Sequence, residues 1–189
     1  PLPGMAETAQ RHATYEDLRR VPSELVAEIL GGSLVTHPRP APRHAVAGSV
    51  LGGALVGPFH GGHGGPGGWW ILDEPELHLD RDVLVPDIAG WRRERMPALP
   101  ETAWFETAPD WVCEILPPST ARDDRVLKMP IYARAEVAHL WLLDPDLRTL
   151  EVYRLESGRW VLLEGHRDDE RVSPPPFDAI EIELGALWA

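Results

Sequence analysis

At 189 residues, 43% of them hydrophobic, the chain is long enough for one well-packed domain and short for two. Its net charge of −12 argues against indiscriminate nucleic-acid binding, because affinity for DNA comes largely from basic side chains that displace counterions from phosphates. The longest apolar stretch, roughly 45–59, falls short of the ~18 residues of a membrane span, and a lone cysteine, Cys113, excludes an internal disulfide.

No basic segment precedes an apolar signal region, so with the single thiol a cytoplasmic location is expected. Pro1-Leu2-Pro3-Gly4 reads as an added remnant ahead of a native start at Met5, and residues 1–13 as a disordered lead-in. Thr14-Tyr15-Glu16-Asp17 has the form of a helix start, with Thr14 as N-cap and Asp17 standing in for the glutamate of a capping box; the helix stops near Val21-Pro22. Residues 25–30 and 33–37 read as a hairpin, because Gly31-Gly32 between them supplies the positive φ of a tight turn. Residues 43–56 are small and apolar, which predicts a buried helix packed closely through Gly48, Gly52 and Gly53.

A Gly-rich loop follows at 59–68, then strands at 69–72, 76–79, 83–91 and 110–116, the last ended by Pro117-Pro118. Residues 122–135 read as a helix that Pro130 should kink or restrict. The apolar run 138–143 is a central strand, 150–155 and 159–164 form a hairpin around Ser157-Gly158, and 180–184 is a last edge strand. The expectation is an α/β domain, a mixed sheet covered by a few helices, with additional strands at its C-terminal end.

Lys128 is the only lysine; the other seventeen basic side chains are arginine. Arginine is a planar, permanently charged fork, whereas lysine is a compact point charge whose proton its surroundings can move. Two carboxylates stand out beside it. Asp87 follows Pro86, which removes a ladder donor and weakens sheet pairing there. Glu114 lies within an apolar strand in which Trp111, Cys113 and Ile115 share one face and Val112, Glu114 and Leu116 the other. A carboxylate on an apolar face is costly unless paired or bound to a cation. If the two strands are neighbours, both acids can converge on one hard divalent ion such as Mg²⁺. Each residue also has a plainer reading: Asp87 in a turn, Glu114 as a core acid paired with arginine, and Lys128 in a surface pair with Asp124, one helical turn earlier, worth ~0.3 kcal/mol.

Together Glu28, Pro86-Asp87, Glu114-Ile115-Leu116-Pro117-Pro118-Ser119-Thr120, Arg125, Lys128, Tyr132 and Trp141-Leu142-Leu143-Asp144-Pro145 resemble the bacterial Uma-two family of restriction-endonuclease-like proteins, of the PD-(D/E)xK nuclease superfamily. The resemblance covers about 15–155 and implies a single restriction-endonuclease-like domain over 14–189, a mixed β-sheet flanked by helices. It implies an endonuclease that hydrolyses DNA phosphodiester bonds with Mg²⁺ or Mn²⁺. By position Asp87 and Glu114 are its metal ligands, Glu28 is an outer or second-metal ligand, and Lys128 supplies the basic group, since Leu116 occupies the usual lysine slot. The chain departs from the family's Tyr-Glu-Leu-Ile-Asp-Gly-Glu hairpin, reading Ala27-Glu28-Ile29-Leu30-Gly31-Gly32-Ser33. That departure, with the acidic composition, supports the alternative of a catalytically silent module for binding or assembly.

His60-Gly61-Gly62-His63 has metal-like spacing but lacks the four N or S ligands of a zinc site, and the glycines to Gly68 have no following Lys-Ser/Thr of a P-loop. Arg92-Arg93-Glu94-Arg95 is the best phosphate-facing patch, Arg39-Arg43-His44 a second, although the usual explanation of such runs is a solvated loop. The eight tryptophans read mostly as core or as the interface of a homodimer, with one or two available to stack on bases.

Overall fold

The computed structural model describes residues 11–118 and 121–188. Pro1-Leu2-Pro3-Gly4, expected to be an added remnant, the expected start at Met5 and the Ser119-Thr120 step therefore lie outside the described residues. Ala13, at the end of the expected lead-in, donates its N–H to the Gly32 carbonyl at 2.8 Å.

Helix α1 spans Tyr15–Arg19, and its start carries the capping box read from the sequence. The Asp17 N–H donates to Thr14 Oγ1 at 3.3 Å, and the Thr14 N–H donates to Asp17 Oδ2 at 2.8 Å. Strands β1 (Leu25–Leu30) and β2 (Ser33–Pro38) pair in the expected register across Gly31-Gly32, with Leu30 opposite Ser33. Both glycines have positive φ, 60° and 84°, which a β-carbon would penalise.

Helix α2 (Pro42–Leu55) ends in a π-helical turn, Val56–His60, that drops Phe59 into the core. A β-carbon on Gly48 would meet Ile115 Cδ1 at 3.3 Å and one on Gly52 would meet Asp73 Oδ1 at 3.2 Å, so close packing explains both. Gly53 faces open space, and the expectation of close packing fails there.

The stretch 83–91 is not one strand. It divides into β5 (Asp82–Leu84) and β6 (Ile88–Arg92) at Val85-Pro86-Asp87, because Pro86 has no N–H for a ladder. The division separates two sheets. One has four strands in the order β2-β1-β5-β4, with β4 at Leu77–Leu79. The other has six, β10-β9-β8-β7-β6-β3, from β3 (Trp69–Asp73) through β7 (Trp111–Ile115), β8 (His139–Asp144) and β9 (Thr149–Glu156) to β10 (Arg159–Arg167).

Strands β7 and β8 are parallel, so a crossover must join them. It is helical: α3 (Ala121–Asp123), a π-helical turn (Asp124–Lys128) and α4 (Met129–Arg134). Pro130 sits in the first turn of α4, where no N–H is needed, and the wide turn just before it takes the place of the expected kink. A short pair, β11 (Arg171–Val172) and β12 (Ile182–Glu183), completes the C-terminal end.

The alternation of β7 divides the core. Trp111, Cys113 and Ile115 pack with α2, Trp141 and Phe177 on one side of the large sheet; Val112 and Leu116 pack with Ile131 and Tyr132 on the other. Trp111 and Trp141 meet edge to face at 5.1 Å, and Phe177 meets Trp111 at 4.8 Å. Such aromatic pairs add about 0.5–1.5 kcal/mol each beyond burial. Glu114 shares the second side, under the crossover helix. Among the described residues no helix is long and apolar enough to cross a membrane.

Candidate functional site

The sheet break puts Asp87 beside the end of β7. Ile88 pairs with Cys113, so the residue before it reaches Ile115, whose N–H donates to Asp87 Oδ2 at 2.6 Å. The other oxygen, Oδ1, lies 3.0 Å from His44 Nε2 on α2. Burial lowers the His44 pKa, but the hydrogen bond and charge of Asp87 outweigh it and the net shift is upward.

Glu114 lies at the buried end of the same cleft. Tyr132 Oη on α4 donates to Glu114 Oε1 at 2.5 Å, and Lys128 Nζ lies 3.4 Å from Oε2. The ammonium also lies 3.1 Å from Glu28 Oε1 and 3.3 Å from Asp124 Oδ1. Glu28 comes from β1, in the other sheet, and its Oε1 accepts the Val85 N–H at 2.8 Å. The plain surface pairing of Lys128 with Asp124 does not describe the structure: both side chains are buried, Lys128 only 7% exposed, and three carboxylates share the one ammonium.

The electrostatics follow from that crowding. Burial alone lowers the Lys128 pKa, but Glu114, Glu28, Asp124 and Asp87 reverse the shift and raise it well above the ordinary lysine value. Burial raises Glu114 well above the usual carboxylate range; Lys128 pulls it back, while Asp124, Asp87 and Glu28 add to the rise. Burial would raise Glu28 too, yet Lys128, His37 and the Val85 N–H hold it below its ordinary value. Asp124 rises through burial, against the pull of Lys128. Three carboxyl groups to one ammonium is an excess of acidic groups over basic ones.

That excess bears on the implied Mg²⁺ or Mn²⁺. The donors are all carboxylate oxygens, which suit a hard cation. Glu28 Oε2 is buried with no hydrogen-bond partner; its neighbour at 3.5 Å, His37 Nε2, also lacks one. Among the described residues no three His, Cys, Asp or Glu side chains stand ready to enclose an ion by themselves. Mg²⁺ needs no such cage, since it binds through one or two carboxylates and takes its other oxygens from water and phosphate. The residues fit an open site of this kind.

The four expected residues Glu28, Asp87, Glu114 and Lys128 line one cleft of about 640 Å³. The Arg92–Arg95 patch does not join it. Arg93 donates to the Trp69 and His60 carbonyls, and Arg95 binds Asp110 and the Ala108 carbonyl, so these guanidinium groups hold loops together. Arg93 also stacks on Trp70 at 4.0 Å. His60 Nδ1 lies 3.3 Å from the Ile71 backbone, and Asp144 accepts the Asp146 and Leu147 N–H groups of the β8–β9 turn. Arg39 and His44 of the second patch do line the cleft, whereas Arg43 pairs with Asp146. Sequence reasoning passed over the His44–Asp87 contact and the neighbouring His37. A histidine inside an otherwise small, apolar helix was the available signal for His44.

Comparison with known proteins follows the same line. The family model Uma2, described as "Putative restriction endonuclease", matches residues 12–185. A crystal structure from Anabaena variabilis, described as "a putative nuclease belonging to DUF820", superposes with a TM-score of 0.70 at 24% identity, covering 93% of this chain and 97% of that one. That likeness establishes the fold, a restriction-endonuclease-like α/β architecture. No curated protein matches the chain.

Proposed function

This chain belongs to the Uma2 family of restriction-endonuclease-like proteins, and from that premise we propose that it is a metal-dependent endonuclease hydrolysing DNA phosphodiester bonds. The observation that carries the reading is the meeting of Glu28, Glu114 and Asp124 around Lys128 Nζ at 3.1–3.4 Å, in a cleft that Asp87 also lines.

Asp87 and Glu114 would hold Mg²⁺ or Mn²⁺, with Glu28 as an outer or second-metal ligand. Lewis-acid chemistry, a more acidic water and a polarised phosphoryl oxygen, is what such a cation supplies there. The chain's own groups set the geometry. The Ile115 N–H and His44 fix the two Asp87 oxygens, and Tyr132 fixes Glu114. Lys128 offers a preorganised positive charge to a phosphate in a water-poor pocket, where it offsets the charge that develops during displacement. It can also orient the attacking water. Pairing of two copies as a homodimer belongs to the same reading; exposed Val161 and Leu162 on the edge strand β10 support it, and sedimentation tests it.

The direct test is Mn²⁺-dependent cleavage of DNA by the wild type beside Asp87→Asn and Glu114→Gln. Both variants should lose cleavage together with the metal-induced rise in Tm that mass action predicts. A variant that cleaves at the full rate removes its residue from the mechanism. The second reading, a silent module for binding or assembly, is favoured by the ion pairs that already engage Lys128 with three acids. No metal-induced shift in the wild type would decide for it.

A further inference from the structure

We infer that the cleft admits one unpaired nucleotide at a time, so that the substrate is single-stranded or frayed nucleic acid and not intact duplex. The inference rests on the phosphodiester-hydrolysis reading and narrows its substrate class.

Depth is the first argument. The side chains of Glu28, Glu114 and Lys128 are 1%, 3% and 7% exposed, so a phosphate lying along the protein surface does not reach them. The cleft's 640 Å³ falls within the ~300–1,000 Å³ typical of small-ligand pockets, and it is open on one side, where a strand can enter. A phosphate can reach the ammonium only if its nucleotide enters with it, and a base inside a stacked, paired helix cannot do so.

The walls agree. Leu18, Val26, Pro38 and Pro117 give the cleft aliphatic and proline faces on which a base ring can lie, whereas a site built only for a backbone would not need them. Apolar contact of this kind reads no base edge and is tolerant of base identity.

Charge is the third argument. Duplex binding at a surface relies on several basic side chains spread over many phosphates. Here Arg93 and Arg95 are tied to backbone carbonyls and Asp110, Arg134 is paired with Asp82, and the chain carries −12 overall. Exposed Arg19 and Arg39 line the cleft, Arg39 also donating to the Ser23 carbonyl at 2.8 Å and Arg19 lying 3.8 Å from Glu16, and these two surface charges can guide the phosphates of one strand only. Glu74 and Glu76 line it as well and would repel a second run of phosphates.

The test compares one dye-labelled deoxyoligonucleotide as a single strand and as its blunt duplex, by fluorescence anisotropy at low salt with EDTA and again with Mn²⁺. The single strand should bind at least roughly tenfold more tightly, and Arg39→Glu should weaken it. With Mn²⁺, a stem-loop substrate should be cut in its loop. Duplex binding that equals or exceeds single-strand binding overturns the inference, as do cutting of stem and loop at equal rates and failure of the single strand to bind. A single strand that is preferred yet never cut sinks the hydrolysis reading and leaves the substrate preference standing; a duplex cut as fast as the single strand does the reverse.

Discussion

Lys128 Nζ lies 3.1 Å from Glu28 Oε1, an ion pair that spans the two sheets: the acid belongs to the first hairpin and the ammonium to the crossover between the parallel strands. Neither side chain has appreciable access to water. Each member therefore depends on the other, because breaking a buried pair from one side leaves charge without compensation.

Lys128→Met should accordingly destabilise the metal-free protein by about 3–5 kcal/mol, the cost of stripping a buried carboxylate of its partner. Urea unfolding measures it. Mg²⁺ should recover more stability in the variant than in the wild type, since a cation then meets acids with no ammonium beside them. Wild-type stability in the variant would mean that the ammonium neutralises nothing.

Tyr132→Phe removes one hydroxyl from a fully buried ring and leaves Glu114 Oε1 without its donor. The expected loss is about 1–3 kcal/mol, the desolvation penalty of an unsatisfied buried acceptor. Combining it with Glu114→Gln in a double-mutant cycle should show the two effects to be strongly non-additive. Simple additivity would place the hydroxyl's contribution elsewhere.

All three tyrosines donate to a glutamate: Tyr15 to Glu76, Tyr132 to Glu114 and Tyr153 to Glu151. Each phenol pKa is raised, Tyr15 chiefly by its hydrogen bond, Tyr132 and Tyr153 chiefly by burial, with Tyr153 pushed up to about 12. A raised pKa means that the stabilisation is complete below the unfolded value of about 10 and is lost as pH rises through the folded value. Ultraviolet titration of the native protein should show little phenolate near pH 10, where the urea-unfolded chain is about half ionised. Native and unfolded curves that coincide would contradict the three contacts.

Gly53→Ala should stabilise the protein by about 0.5–1 kcal/mol, because a helix-interior glycine facing open space costs backbone entropy and shields nothing. Gly52→Ala, one residue earlier, should gain less or lose stability, since its β-carbon meets Asp73 Oδ1 at 3.2 Å. Equal Tm changes for the two variants would contradict the packing described for α2.

Local rules that act over a few residues were legible in the chain. The capping box at Thr14 and Asp17, the Gly31-Gly32 turn and the alternation of β7 each depend on neighbours in sequence, and each holds. Where a local pattern admitted two readings, it misled. Residues 83–91 look like one apolar strand, yet Pro86 divides them between sheets. The Arg92–Arg95 run looks like a phosphate patch, yet Arg93 and Arg95 are consumed by nearby carbonyls and Asp110.

The sequence by itself determined most of the elements apart from the break at Pro86, the family, and the four residues Glu28, Asp87, Glu114 and Lys128 that share a cleft. Only the tertiary structure decided that three acids share the ammonium, that His44 and Tyr132 contact Asp87 and Glu114, and that the acids and the ammonium lie buried at the bottom of the cleft. The physical reason is distance along the chain: periodicity and capping are short-range, whereas burial and charge balance are set by side chains that four separate segments bring to one place.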